Sequence, residues 1–455
     1  MSTSGEALAP ESTINVNKWF EDGKFKSFHW IQFLLGIATF TFDGYDLFVY
    51  AAAVPLLLKS FHINLAQAGV IGSYAPIGAA IGALFFGPVA DKIGRRRTIL
   101  ICLTIICVGM GLCGISSGPG FFSIFRVLTG FGVGGCMPNM VALATEYTPL
   151  RARATTVSMM LSGIQVGGIA MALLGLWLFP IFGWRAVFIA GFVPIILLPV
   201  YAKYLPESPV HLLKRGRMEQ LRKYVRLSRP SETVPDAAVL QVNMGSGKAP
   251  LATIFQEGRG FSTVMFWIAY FMNLYTIFAF TIWLPKLIMS QGFTLARGLS
   301  GLLSLSIASI IGSYVAGIIA DRVLGNRPTL FLFYGISFLS IVTTGYMSSF
   351  TGLMICVSLA GAGFNGAQNL LNAYIAPYYP PTMRSTAVGF AYGVGRFGAI
   401  FGPAIIGIVM SMHFTYRETL LAIGIPGLVP ALAIWAVREK HNYARILAAE
   451  KAVVG

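Results

Sequence analysis

The chain has 455 residues, 56% of them hydrophobic and only 11% charged, with a mean hydropathy of +0.72. A soluble domain carries about 25% charged residues, so 33 Lys and Arg with 17 Asp and Glu cannot cover a globule of this size. A soluble enzyme, a disordered chain and a nucleic-acid binder are excluded, and the net charge of +16 has to be explained by where the charges fall.

The first 28 residues are polar and lack the charged, then apolar, then small-residue order of a cleaved leader, so none is expected. Apolar segments of bilayer-crossing length follow near residues 30–58, 66–90, 97–116, 121–145, 154–180 and 184–205. A stretch rich in Lys, Arg, Ser and Pro occupies 206–258, and six further segments lie near 261–289, 296–320, 328–347, 350–377, 384–411 and 416–438. Spanning β-strands would instead show about ten residues of alternating polarity. The expectation is an all-α membrane protein of twelve transmembrane helices. Its parts are an N-terminal segment (1–28), a six-helix half (29–205), a central loop (206–258), a second six-helix half (259–438) and a tail (439–455). Cys102, Cys107, Cys113, Cys136 and Cys356 all fall in apolar runs and are expected as free thiols. No metal site and no cofactor are expected.

The positive charges sort by side. With both termini cytoplasmic, 26 of the 33 Lys and Arg fall on the inner face and five on the outer, while Arg126 and Arg396 lie within spans. The chain also repeats itself. GPVADKIGRRR at 87–97 returns as GIIADRVLGNR at 317–327, with Gly87/Gly317 and Asp91/Asp321 each 230 residues apart. EYTPLRARATTV at 146–157 returns as PYYPPTMRSTAV at 377–388, setting Arg153 against Arg384. Two pseudo-symmetric halves with a site at their mid-membrane interface are the plan of a rocking secondary transporter.

Gly87, Asp91, Gly94, Arg95 and Arg96 complete the loop motif G-x-x-x-D-x-x-G-R-R, and Arg126, Gly130, Gly132 and Gly134 form R-x-x-x-G-x-G-x-G. With Glu146, Arg153 and LPESP at 205–209, these residues resemble the major facilitator superfamily over nearly the whole chain. A narrower set consists of DGYD at 43–46, MPN at 137–139, NGAQ at 365–368 and GVGRFGAIFGP at 393–403. It resembles the aromatic acid/proton symporters, bacterial carriers of benzoate, hydroxybenzoates and related ring acids. That resemblance implies a multi-pass protein of the bacterial inner membrane. It would import an aromatic carboxylate by proton symport with alternating access, the proton being the coupling ion. A monomer in the lipid bilayer is expected. A porter of another solute (a sugar, an aliphatic acid or an organic cation) is the alternative, and no nucleotide loop or nucleophile–base pair supports an enzyme.

Several polar groups sit where lipid would penalise them. Asp43 and Asp46, at i and i+3, share a mid-membrane face of the first span, where an ionised Asp costs about 2.5–3.5 kcal/mol on insertion scales. They read as the proton-coupling pair, or else one of them caps a break at Gly44. Arg126 needs a carboxylate or carbonyl partner; it either pairs with Asp43 or Asp46 and sets their proton affinity, or clamps helices. Arg396, with Tyr392 one turn before it, offers a planar fork suited to a substrate carboxylate, unless an aspartate across the cavity holds it. Asn365, Gln368, Asn369 and Asn372 form one polar stripe on the tenth span. Asn365 and Gln368 are assigned to substrate, Asn372 to helix packing. Tyr270, Asn273 and Trp283 on the seventh span are candidate walls for a ring. Asp91, Arg95, Arg96, Glu146, Arg153, Asp321 and Arg384 form the expected inner gate. His62, His211 and His413 lie at edges and are set aside.

Overall fold

The computed structural model describes residues 13–230, 232, 235, 238–242 and 250–447; residues 1–12 and 448–455 of the expected N-terminal segment and tail lie outside the described residues. Inside lipid, backbone N–H and C=O groups have to be satisfied within the chain, which makes the helix the natural spanning element. Among the described residues, ten helical stretches are long and apolar enough to cross a membrane. One of them, Leu150–Tyr204, is 55 residues long and holds two spans, and Asn326–Thr344 supplies the ninth. The first four spans are Ser27–Ser60, Leu65–Ile93, Arg95–Ile115 and Pro119–Tyr147. The seventh and eighth are Gly260–Ser290 and Leu295–Ile319, and the last three are Phe350–Tyr378, Arg384–Ser411 and Tyr416–Ala436.

The fifth and sixth spans are less regular. Helix Leu150–Leu161 stops at Ser162, a second helix runs from Gly163 to Ala190, and within it Gly183 has φ 70° and ψ −171°. Only glycine takes that backbone without strain, and there the chain leaves the fifth span for the sixth, which ends in Leu198–Tyr204. Four spans begin with a side-chain cap: Asn64, Thr294, Ser349 and Thr415 each accept from a backbone N–H three residues on, satisfying donors the helix leaves orphaned.

The halves follow one pattern. The second span packs on the fourth and the eighth on the tenth; the first packs on the fifth and the seventh on the eleventh. Between halves, the second lies against the eleventh, the eighth against the fifth, and the first against the seventh. Lipid tails are as apolar as the side chains, so association depends on close packing through small residues. A Cβ at Gly130 or Gly134 would stand 2.0 or 1.9 Å from the carbonyl oxygen of Ala75 or Ala79, so the fourth span meets the second backbone to backbone. Gly44 does the same against the Ile164 carbonyl, at 1.9 Å. The first helix runs unbroken through Gly44, so there is no break there to cap.

The halves touch at one end. Gly69 abuts Pro403 and Gly407, and the Ser73 hydroxyl donates to the Ile400 carbonyl. At the opposite ends of the same two helices, nothing lies within 4 Å of a Cβ built on Gly87, Gly389 or Gly393. The space between the halves therefore opens toward the face that carries the central loop. On that face strand Thr13–Asn15 pairs in parallel with Val239–Gln241, and Trp19 donates to the Val225 carbonyl beneath the Arg229 guanidinium. Helices Pro209–Lys214 and Met218–Ser228 complete a cap on the first half.

Candidate functional site

A cavity of about 190 Å³ lies between the halves. An apolar cavity of about 150 Å³ admits benzene, so one ring fits. Asp43 and Asp46 both line it, as their i, i+3 spacing requires. The Asp46 carboxylate holds the Arg126 guanidinium in a buried ion pair, and that guanidinium also sits 5.2 Å from the centroid of the Tyr50 ring. Tyr50 in turn donates to the Ala68 carbonyl, tying the first span to the second. Burying such a pair costs several kcal/mol per ion in desolvation, offset only by close geometry. Arg126 therefore has one of its two expected partners, and Asp43 is left without an ion pair among the described residues.

Asp43 from the first half and Arg396 from the second line the same cavity. Arg396 lies 5.1 Å from the Tyr392 ring centroid, and its Nη2 is 3.4 Å from Tyr392 Oη and 3.8 Å from Met137 Sδ. None of these contacts is a carboxylate. The donor fork of Arg396 is therefore not occupied by a protein anion among the described residues. Apolar side chains, among them Leu47, Ile277, Phe278 and Ile282, fill much of the wall around these charges.

The tenth-span stripe faces this cavity in full: Asn365, Gln368, Asn369 and Asn372 all line it. Asn372, assigned from sequence to packing, reaches the cavity as well, while accepting from Tyr270. The seventh-span candidates stand behind the wall. Asn273 is buried and donates to Gln368 Oε1 at 2.7 Å. Tyr270 is buried and donates to Asn372. Trp283 is wholly buried, its Nε1 donating to the Pro403 carbonyl at 3.0 Å, and braces the seventh span on the eleventh. None of these three is among the cavity-lining residues: Asn372 and Gln368 stand between the cavity and Tyr270 and Asn273, and Trp283 points away toward the eleventh span, so Leu274, Ile277 and Phe278 form the seventh-span wall. Gln165 on the fifth span lines the cavity and was not singled out from sequence. A lone amide in an apolar span was the available signal.

The expected gate residues gather on the loop face. Arg95 pairs with Glu146 at 2.6 Å and Arg153 with Glu21 at 3.4 Å. Arg384 donates to the Tyr379 carbonyl, and Asp321 is exposed in the π-turn Ala320–Leu324. Each of these contacts lies within one half or ties the first half to the N-terminal segment. Asp91, Arg95 and Glu146 border a polar pocket of about 440 Å³ beneath Pro209–Lys214. The carboxylate at the third span's N-terminus belongs to Glu207, which accepts from the backbone N–H of Arg96 at 3.2 Å and of Ser208 at 2.9 Å. An acid there complements the helix dipole, and the φ of 99° at Gly94 makes the turn that presents it.

Comparison with known proteins agrees with this architecture. The family profile described as Major Facilitator Superfamily matches residues 35–347 and 266–454. The chain is 38% identical over 439 residues to the "Benzoate transport protein" of Acinetobacter baylyi, covering 94% of each chain. It is 32% identical over 442 residues to the "Gallate transporter" of Pseudomonas putida, covering 96% of this chain and 97% of that one. Among solved structures it matches the partially occluded inward open conformation of the xylose transporter XylE from E. coli. The TM-score is 0.71 at 18% identity, over 90% of this chain and 98% of that one, a likeness of fold alone.

Proposed function

Since the chain belongs to the major facilitator superfamily, beside its aromatic-acid transporters, we propose that it imports an aromatic carboxylate of the benzoate or hydroxybenzoate class together with a proton. The observation that carries this reading is Arg396: a guanidinium on a mid-membrane cavity whose contacts are Tyr392 and Met137 rather than a carboxylate. A planar fork of donors suits a carboxylate in two-pronged contact. The surrounding apolar wall, of one-ring volume, suits the rest of such a molecule. Relatives named for benzoate and gallate transport support the same substrate class.

Asp43 supplies the coupling. While ionised, it attracts Arg396 and competes with the substrate carboxylate. Once protonated, it releases the guanidinium, so acid anion and proton bind together and cross without net charge. Asp46 and Arg126 form the fixed element beside it. The loop face, with its excess of Lys and Arg, lies in the cytoplasm, and the membrane is the bacterial inner membrane. Asp91, Arg95, Arg96, Glu146 and Arg153, with Asp321 and Arg384, re-pair between the halves when this face closes. The protein works as a monomer and needs no cofactor besides the proton.

Counterflow tests this. Proteoliposomes loaded with unlabelled benzoate should draw in labelled benzoate, and xylose, an aliphatic acid or an organic cation should not compete. A well-folded, monodisperse preparation that exchanges no ring acid would overturn the reading.

A further inference from the structure

Gln165 comes from the fifth span, in the first half, and its Nε2 donates at 3.3 Å to Asn365 Oδ1 in the second. Its own Oε1 is buried and has no hydrogen-bond partner among the described residues. The orientation of both amides follows from the bonds behind them. A serine hydroxyl has one proton to give, and that of Ser309 goes to the Leu305 carbonyl at 2.7 Å. Ser309 Oγ therefore accepts at 2.8 Å from Asn365 Nδ2. Asn365 Oδ1 is thereby turned toward Gln165, which has to answer with its amino group and keep its oxygen as a spare acceptor. Asn365 is engaged at both ends. Of the two amide oxygens, only Gln165 Oε1 receives no hydrogen bond among the described residues, on a side chain that lines the cavity, and an unmet buried acceptor is unfavourable until a donor reaches it.

We infer that Gln165 is a specificity-determining residue whose Oε1 accepts a hydrogen bond from a hydroxyl on the ring of the bound acid. The inference rests on the aromatic-acid reading above and deepens it. Arg396 on the eleventh span takes the carboxylate and Gln165 on the fifth takes the hydroxyl, so a hydroxylated acid is held by both halves at once. An unsubstituted ring leaves Gln165 as it stands, bonded to Asn365 alone.

The test is calorimetric binding of benzoate and of 2-, 3- and 4-hydroxybenzoate to the purified full chain, as wild type, Gln165→Leu and Gln165→Met. In the wild type, at least one hydroxybenzoate isomer should bind more tightly than benzoate. Both variants should lose about tenfold in affinity for that isomer, the scale of one hydrogen bond, with benzoate affinity nearly unchanged. Two apolar replacements of different shape guard against one that fails to fold. An unchanged ratio of hydroxybenzoate to benzoate affinity, with benzoate still bound, overturns the assignment alone. An equal loss for all four acids does so too, since it marks Gln165 as structural. A wild type that binds none of the four overturns the aromatic-acid reading, and this assignment with it.

Discussion

The buried pair between Asp46 and Arg126 makes an asymmetric prediction about stability. The two side chains are only 5% and 2% exposed. At an effective dielectric of about 20, unit charges about 4 Å apart attract by about 4 kcal/mol, and removing one partner of a buried pair costs about 3–5 kcal/mol. Asp46→Leu leaves a guanidinium that cannot shed its proton and should lose that full amount. Arg126→Met leaves a carboxylate that can take up a proton and become neutral, so its loss should be smaller, about 1–3 kcal/mol. The double variant removes both charges and should lose clearly less than the sum of the two single losses, with a coupling of about 2–3 kcal/mol between the sites. The assay is thermal unfolding in detergent followed by tryptophan fluorescence. Mid-sized domains shift by about 2–4 °C per kcal/mol; in a chain of 455 residues the larger unfolding entropy brings this to about 1 °C per kcal/mol, so Asp46→Leu should melt about 3–5 °C below wild type. If the losses simply add in the double variant, or if Asp46→Leu melts with the wild type, the pair is not the clamp described here.

Three further outcomes follow from the cavity and the contact between halves. Arg396→Lys keeps the charge but loses the planar fork, so benzoate affinity should fall by about 1–3 kcal/mol; full affinity in Arg396→Ala, measured by calorimetry, would refute carboxylate binding there. Asp43→Asn mimics the protonated acid and should abolish uphill uptake while sparing counterflow. Wild-type accumulation in proteoliposomes should reach about tenfold per imposed pH unit, and a variant that still accumulates substrate would move the proton elsewhere, with Glu146 next. A Cβ at Gly69 would stand 2.5 Å from the Pro403 carbonyl oxygen, so Gly69→Leu should hold the second and eleventh spans apart and favour the state open on that face. Increased labelling of cysteines placed on that side of the cavity would report the shift, and wild-type labelling would refute it.

Much of the candidate site is legible in the sequence because lipid makes polar residues conspicuous. Asp43, Asp46, Arg126, Arg396 and the tenth-span stripe all announce themselves as polar groups in apolar helices, and all of them line the cavity. Gln165 obeys the same rule but stands alone in its span, with no motif around it. The seventh span shows the converse. Tyr270, Asn273 and Trp283 look like a binding wall in sequence, yet a run apolar all round carries no period to mark which side faces inward. Their side chains instead brace the seventh span against the tenth and eleventh.

The twelve spans and their two repeated halves are determined by sequence alone, because hydropathy and repetition are properties of the chain order and need no partner. The spacing of Asp43 and Asp46 likewise commits both to one helical face. Tertiary structure alone decides that Arg126 goes to Asp46, that Arg396 and Asp43 line one cavity, and that Thr13–Asn15 pairs with Val239–Gln241. Each of these joins residues at least 80 positions apart, between elements whose rotation and depth are fixed only when glycine-lined faces such as Gly44 on Ile164 and Gly130 on Ala75 come into contact. Local pattern sets what each helix can offer; packing selects which offers meet.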